Sequence, residues 1–156
     1  MIEVWRLVKK RHIHDAFTGE GSRSVSGRWH HRGTPLVYTS QTLSLAAIEL
    51  FVNLGPEGIH IAFAALRAVI PDAVIVEEIT TDALPKNWRD VRAPDSTRDM
   101  GTMWVKRGSS AVLRVPSVII PVEYNYVLNP LHRDFTKKIK IGSPEPFSFD
   151  PRMWKK

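Results

Sequence analysis

Four side chains whose types suit chemistry on a charged substrate are spread along this sequence: Arg28, Tyr38, Glu49 and Ser117. They supply a cation, an aromatic face with a hydroxyl, a carboxylate and a small hydroxyl. Such a set suits cleavage of the ribosyl bond of an anionic dinucleotide, because the pyrophosphate needs a cation and the departing base needs a flat aromatic surface. The positive charge that develops at the ribose needs a fixed carboxylate nearby. Each residue also has an ordinary structural interpretation, so spacing alone leaves this chemistry open.

Glu49 carries the strongest signal of the four. It is the only charged side chain between Gly33 and Pro56. It falls in a helix-like run that is apolar on both faces, formed by Leu43, Leu45, Ala46, Ala47, Ile48, Leu50, Phe51, Val52 and Leu54. Such a helix is predicted to be buried, and a buried carboxylate is costly unless it is paired or used. Either a structural cation neutralises Glu49, or Glu49 belongs to a site.

The elements that must position these residues are many short strands and two main helices. Alternating or β-branched runs predict strands at 2–8, 36–39, 59–69, 74–79, 111–115, 118–122, 124–128 and 137–141. Ser40 is the predicted N-cap of a helix over 41–54, and a second helix is predicted from Asp95 or Ser96 to Lys106. The glycine-containing stretch 9–34 lacks periodicity and is predicted to be a functional loop. This pattern predicts an α+β fold, and the length predicts one domain over 1–156.

The charge is uneven along the chain. The net charge is +6, and residues 1–34 and 132–156 each carry seven basic against three acidic side chains. Basic ends favour an anionic ligand or partner: a nucleic acid, a dinucleotide or an acidic protein surface. The chain has no cysteine, which excludes disulfides and thiolate metal sites. The apolar runs are too short for a membrane span and the start lacks a signal-peptide pattern, so a cytoplasmic protein without membrane association is expected.

Other kinds of site are weakly supported. The closely spaced His12 and His14 could share one face of an extended segment, but no common metal-ligand pattern includes them, and no metal is expected. The loop that begins at Gly19 matches neither common phosphate-binding motif. Five tryptophans could stack on nucleic-acid bases, yet neither predicted helix carries a basic stripe. Direct nucleic-acid binding is therefore not expected.

Longer motifs bear a family resemblance. The string from Gly27 to Glu49 contains GRWH, GTPLVYTS and LAAIE, and a second string, LRVPSVIIP, includes Ser117. Asn125, the LNPLH motif that follows it and the closing residues through Arg152 stand in the same order. Together these motifs resemble the RES-domain toxin family over nearly the whole chain.

The resemblance implies a compact fold related to ADP-ribosyltransferases, with curved, mainly antiparallel sheets and a few helices. It implies a toxin of a bacterial toxin–antitoxin pair that depletes NAD by cleaving its nicotinamide–ribose bond, by hydrolysis or phosphorolysis. Glu49, Arg28, Tyr38 and Ser117 are then the expected catalytic residues, and Arg28, Tyr38, Arg6 and Ser40 are expected to bind NAD. No cofactor is expected beyond NAD as substrate, with inorganic phosphate as a candidate co-substrate. The expected partner is an Xre-type helix-turn-helix antitoxin, through which any contact with DNA would be made.

Two departures from the family pattern concern the loop. His30 stands where the family usually has asparagine, and Ser26 stands where a second glycine is common; the histidine could still donate a hydrogen bond. Two alternatives to NAD depletion stay open: a protein ADP-ribosyltransferase, and a non-catalytic basic module that binds nucleic acid or an acidic partner. An enzyme releases nicotinamide, whereas a binding module shows only salt-dependent association.

Overall fold

The fold is built on one curved sheet, seen in a computed structural model that describes residues 1–155. These residues form eight strands: β1 (Ile2–Lys9), β2 (Val37–Ser40), β3 (Phe63–Ile70), β4 (Val76–Glu78), β5 (Val112–Pro116), β6 (Tyr124–Leu128), β7 (Lys140–Ile141) and β8 (Glu145–Phe147). The strand order is β4-β5-β6-β2-β1-β3-β7, and β8 pairs with β3 beside β7. Only the β4–β5 pair is parallel among these strands. The mainly antiparallel α+β fold predicted from the sequence is confirmed.

The same residues form four α-helices and several single 3₁₀ turns. The α-helices are α1 (Glu20–Ser24), α2 (Leu43–Phe51), α3 (Asp95–Arg107) and α4 (Arg133–Lys138). The 3₁₀ turns cover Lys10–Asp15, Pro56–His60, Thr81–Ala83 and Pro151–Trp154. The longest helix, α3, has 13 residues, and none in residues 1–155 is long and apolar enough to cross a membrane.

The two faces of the sheet have different coverings because successive side chains of a strand point to opposite sides. On one side, the core face, Val4 and Val8 of β1 pack with Leu66 and with Phe135 of α4. We call the opposite side the site face. There α2 packs over β1 and β3, and α3 packs over β5 and β6 through the buried Trp104.

Helix α2 begins later than predicted, and one side of it is exposed. Its N-cap is Thr42, whose side chain accepts a hydrogen bond from the backbone N–H of Leu45, so the prediction of Ser40 as the cap is wrong. Ser40 instead ends β2. Ile48 and Val52 are 36% and 58% exposed, so the prediction of a helix buried on all sides is also wrong.

The last residues of the chain form a strap across the far end of α2. The ring of Phe149 lies 5.8 Å from that of Phe51, the last residue of α2, and the Trp154 ring lies 5.2 Å from it. Trp154 Nε1 donates to the carbonyl oxygen of Gly55, at 3.1 Å, just beyond the helix. Aromatic contacts of this kind add about 0.5–1.5 kcal/mol each to simple burial. The strap therefore fixes the position of α2 from behind.

One predicted strand is absent from the described residues, and another is shorter than predicted. Residues 118–122 form a turn, because the hydroxyl of Ser117 accepts hydrogen bonds from the backbone N–H groups of Ile119 and Ile120 and so bends the chain. Residues 133–138 form α4, which His132 caps through its Nδ1, leaving only Lys140 and Ile141 in a strand. The prediction of a loop over 9–34 was incomplete, because this stretch contains the 3₁₀ turn Lys10–Asp15 and helix α1.

Candidate active site

Neutral donors hold the Glu49 carboxylate on the site face. Its Oε1 accepts a hydrogen bond from Ser117 Oγ at 2.7 Å and another from Asn125 Nδ2 at 2.6 Å. Within residues 1–155 no basic side chain forms an ion pair with it. Glu49 is half-buried, and its Oε2 accepts no hydrogen bond from the described residues. The first of the two sequence interpretations, a structural cation, is therefore wrong, and one carboxylate oxygen is left for a ligand.

The role of Ser117 follows from its own partners. The residue is fully buried, and its oxygen accepts from two backbone N–H groups, those of Ile119 and Ile120, both at 3.1 Å. A hydroxyl has two acceptor lone pairs and one hydrogen. The two backbone N–H groups use both lone pairs, so Ser117 can only donate to Glu49. Ser117 therefore holds the carboxylate in place and does not itself face a ligand.

Asn125 extends this network to β2, and sequence reasoning gave it no role. Its Oδ1 accepts from Ser40 Oγ at 2.7 Å, so Ser40 acts on Glu49 through Asn125. Ser40 and Asn125 are register partners across β2 and β6, which puts both side chains on the site face. Ser40 is buried and lies behind the carboxylate. Only the sheet register reveals this link, which no sequence motif encodes.

Tyr38 stands two residues before Ser40 and shares its face of the sheet. Its hydroxyl oxygen accepts a hydrogen bond from the backbone N–H of Trp29 at 3.1 Å and lies 2.6 Å from His30 Nδ1. Burial raises the pKa of the Tyr38 hydroxyl, which the Trp29 N–H and the charges of Arg28 and Arg98 oppose. A proton held this strongly favours a binding role for the aromatic ring.

Arg28 is anchored by backbone carbonyl groups rather than by a carboxylate. Its guanidinium donates to the carbonyl oxygens of Asp90 at 2.6 Å, Trp88 at 3.2 Å and Val91 at 3.3 Å. Burial lowers the pKa of Arg28, and the nearby charge of Glu49 acts in the opposite direction. The positive charge is thus oriented by neutral groups and stays available to an anion.

Arg98 is a second cation, beside the segment that contains Arg28, and sequence reasoning missed it. It lies in the first turn of α3, where its Nε donates to the carbonyl oxygen of Gly27 at 3.1 Å. Its charge also acts on Arg28, His30 and Tyr38. At each of these residues the contribution of Arg98 is toward a lower pKa, although burial raises the pKa of Tyr38 overall. Among residues 1–155 it forms no ion pair. Two arginines without carboxylate partners thus act on each other although 70 positions separate them in the chain, and guanidinium groups of this kind suit a phosphate ligand.

Helix α3 holds the 27–31 segment at close range. Thr97 Oγ1 donates to the carbonyl oxygen of Arg28 at 2.8 Å, and the hydroxyl of Thr102 accepts from the backbone N–H of His31 at 2.9 Å. At Gly101 an added Cβ would lie 1.7 Å from the carbonyl oxygen of Trp29, so any side chain there would push the segment away. This contact sets the distance of Arg28 from the helix.

Arg6 is not brought together with the other predicted residues. It lies in β1 opposite Leu66, a core-face residue, whereas Tyr38 and Ser40 point to the site face. Its guanidinium donates to the carbonyl oxygens of Ala16 at 2.6 Å and Tyr38 at 3.0 Å, and burial lowers its pKa to about 10. The structure places Arg6 where it joins the 16–17 segment to the back of β2.

Metal-ligand clusters and cavities do not mark a competing site. No group of three His, Asp or Glu side chains within residues 1–155 could hold a metal ion. Two cavities of about 500 and 460 Å³ lie away from Glu49, beside the 9–11 segment and beside β8. Neither brings a carboxylate, an arginine and an aromatic ring together, and the residues around Glu49 are the candidate site.

The sequence matches one family model and several known proteins. Residues 3–150 match the model of the RES domain. A protein named Toxin Res from Yersinia enterocolitica is 35% identical over 150 residues, which cover 96% of this chain and 98% of that protein. One named Prs ADP-ribosylating toxin, from a Sphingobium strain, is 32% identical over 156 residues, covering 97% and 96%.

A solved structure has the same fold. A chain in the crystal structure of the M. tuberculosis MbcT–MbcA toxin–antitoxin complex superposes with a TM-score of 0.76 and 15% identity, covering 99% of this chain and 87% of that one. The match of the family model over residues 3–150, together with relatives more than 30% identical along nearly their whole length, shows that this chain belongs to the RES domain family.

Proposed function

We propose that this protein is a toxin that consumes NAD by breaking the bond between the nicotinamide nitrogen and the ribose. The observation that carries the proposal is the Glu49 carboxylate, which two neutral donors hold by one oxygen while the other stays free. The names of its relatives, Toxin Res and Prs ADP-ribosylating toxin, support both a toxic role and chemistry on NAD.

Each residue of the site has its own role in the proposed cleavage of NAD. Arg28 and Arg98 bind the pyrophosphate, and the ring of Tyr38 lies against the nicotinamide or its ribose. As the glycosidic bond breaks, its electron pair leaves with nicotinamide, and positive charge develops at the ribose carbon. Glu49 stabilises that charge because its carboxylate forms no ion pair within residues 1–155. Ser117 and Asn125 keep the carboxylate from turning away.

An acceptor then completes the reaction at the ribose carbon. Water gives ADP-ribose and releases a proton, and inorganic phosphate gives ADP-ribose 1″-phosphate. Neither acceptor changes the bond that breaks. The product formed therefore distinguishes the two acceptors.

A second candidate is transfer of ADP-ribose to a protein, and the relative named Prs ADP-ribosylating toxin favours it. The same bond breaks, but the acceptor is a side chain of a target protein. In that case purified toxin consumes NAD slowly and accelerates only with the target. The third alternative, a non-catalytic basic module, leaves NAD intact and binds in a salt-dependent way.

An antitoxin partner belongs to the proposal. The structural neighbour comes from a toxin–antitoxin complex, and the sequence motifs favour an Xre-type helix-turn-helix partner. An enzyme that depletes NAD in the cytoplasm would need such control in the cell that makes it. Binding of DNA would then be a property of the antitoxin.

The test is proton NMR of NAD mixed with purified protein, with and without inorganic phosphate, beside Glu49→Gln. We expect nicotinamide from the wild type alone, and the co-product identifies the acceptor. Glutamine keeps the shape and leaves an oxygen for both donors, so the variant should fold while losing turnover. Unchanged NAD with wild type, or full turnover by folded Glu49→Gln, would contradict the proposal.

A further inference from the structure

His30 is a buried histidine whose ring contacts fix its tautomer. Its Nε2 lies 3.0 Å from the carbonyl oxygen of Ser22 and 2.8 Å from that of Val25. Carbonyl oxygens only accept hydrogen bonds, so Nε2 must carry a hydrogen. Burial lowers the pKa of His30, which the two carbonyl contacts oppose. In a neutral ring with Nε2–H, Nδ1 has a free lone pair and can only accept.

The direction of the hydrogen bond to Tyr38 follows from this tautomer. Because His30 Nδ1 accepts, the Tyr38 hydroxyl donates its hydrogen across the 2.6 Å contact. The same hydroxyl oxygen accepts a hydrogen bond from the backbone N–H of Trp29, so the hydroxyl both donates and accepts within the protein. The sequence-based expectation that His30 could donate a hydrogen bond holds at Nε2 toward the chain, whereas at Tyr38 the histidine is the acceptor.

Close packing leaves the Tyr38–His30 pair no alternative position. A Cβ added to Gly27 would lie 2.5 Å from the Tyr38 hydroxyl oxygen and 2.8 Å from His30 Cε1. The two rings are 5.5 Å apart between centroids and tilted by 51°. Gly27 immediately precedes Arg28, so the pair is packed against the residue next to the cation of the site.

We propose that His30 is a positioning residue. It accepts a hydrogen bond from the Tyr38 hydroxyl and so fixes the Tyr38 ring against the 27–30 segment. Tyr38 therefore offers a ligand its ring face and takes no part in proton transfer. The identification of that ligand as NAD rests on the proposed function. The hydrogen-bond arrangement itself does not, and it can be tested without any ligand.

The first experiment is two-bond ¹H–¹⁵N NMR of the histidine rings in ¹⁵N-labelled wild type at neutral pH, with His30 assigned by its loss in His30→Asn. We expect the Nε2–H tautomer, and a Tyr38→Phe variant should shift the His30 Nδ1 resonance while Nε2 stays protonated. His31→Asn, a substitution of the neighbouring histidine, should leave both His30 resonances in place. An Nδ1–H tautomer, or a Nδ1 resonance that ignores Tyr38→Phe, would overturn the proposal.

The second experiment separates positioning from simple support of the fold. His30→Asn and His30→Leu both lose the ring Nε2–H, but the asparagine side-chain oxygen can replace Nδ1 as acceptor for Tyr38. We expect His30→Leu to raise the KM for NAD about fivefold, the factor that corresponds to loss of one hydrogen bond of about 1 kcal/mol, with His30→Asn close to wild type. A double variant His30→Leu/Tyr38→Phe should be no worse than Tyr38→Phe, because both act on one hydrogen bond.

The results of these experiments distinguish a positioning role of His30 from simple support of the fold. Equal KM values for His30→Asn and His30→Leu, or additive losses in the double variant, would show that His30 only supports the fold and would overturn its positioning role. If wild type cleaves no NAD, the proposed function fails. The NMR experiment then still decides the Tyr38–His30 arrangement by itself.

Discussion

Glu49 and Glu77 are two carboxylates that the protein holds in the same manner in different surroundings. Oε2 of Glu77 accepts from Ser109 Oγ at 2.7 Å, from Trp104 Nε1 at 3.1 Å and from the hydroxyl of Ser110. These donors join the end of α3 to the edge strand β4. Glu49 is likewise held through one oxygen by neutral donors.

The difference lies in what surrounds each carboxylate. The charge of Arg107 acts on Glu77, which lies in an edge strand beside the end of a helix. Glu49 shares the site face with Tyr38, and its charge acts on Arg28, which forms no ion pair within residues 1–155. Hydrogen bonds alone therefore do not mark a site. A fixed carboxylate becomes a functional candidate where the cations near it are left free for a ligand.

The strongest way to break this comparison is to make the same substitution at both positions. Glu49→Gln should lower NAD turnover by at least about 100-fold, as expected for loss of one electrostatic contact to a transition state, while thermal unfolding changes little. Glu77→Gln should keep its turnover and lower the unfolding temperature. Nicotinamide release and circular-dichroism melting measure the two effects. A Glu77→Gln variant that folds normally and is inactive would contradict the assignment.

The arginines sharpen the comparison next. Arg98→Ala should raise the KM for NAD by about 10- to 100-fold with a smaller change in kcat, because it removes a charged hydrogen bond worth about 1.5–3 kcal/mol. Arg107→Ala, which removes the cation near Glu77, serves as the matched control and should leave KM unchanged. Steady-state kinetics at fixed ionic strength decide the result, and equal effects of both substitutions would remove Arg98 from the site.

The serines give a smaller effect of the same kind. Ser117→Ala should lower kcat about tenfold, since it removes one of two donors to Glu49 and leaves Asn125 in place. Ser110→Ala removes one of the donors to Glu77 and should lower stability without lowering kcat. A Ser117→Ala variant with unchanged kcat would mean that Asn125 alone positions the carboxylate.

Acid pH gives the smallest effect. Burial raises the pKa of Glu77, but hydrogen bonds from Ser110, Ser109 and Trp104 outweigh it and lower the pKa below its ordinary 4.5. Ionised Glu77 therefore stabilises the fold above pH 4.5, and this contribution is lost as pH falls from there through the lower folded-state pKa. Chemical denaturation at several pH values should show a steeper loss of stability in wild type than in Glu77→Gln. Parallel curves would contradict the pKa assignment.

Local pattern predicted the strands that alternate and the helix that carries Glu49, because burial of one face imposes a period on the sequence. It failed at 118–122, where β-branched residues favour a strand but the Ser117 hydroxyl captures two backbone N–H groups. Charge and side-chain type drew attention to Glu49, Arg28 and Tyr38. Asn125 and Arg98 were missed because their roles depend on strand register and helix docking, which are contacts between distant parts of the chain.

The strap at 149–154 has a consequence for the order of synthesis. Every residue assigned to the site, from Arg28 to Asn125, leaves the ribosome before Phe149 and Trp154, which hold α2 from behind. We expect a growing chain that has passed Asn125 to have all the side chains of the site before the end of α2 is held in place. A chain cut short before Phe149 would therefore contain every side chain of the site but lack the aromatic contacts that hold the end of α2.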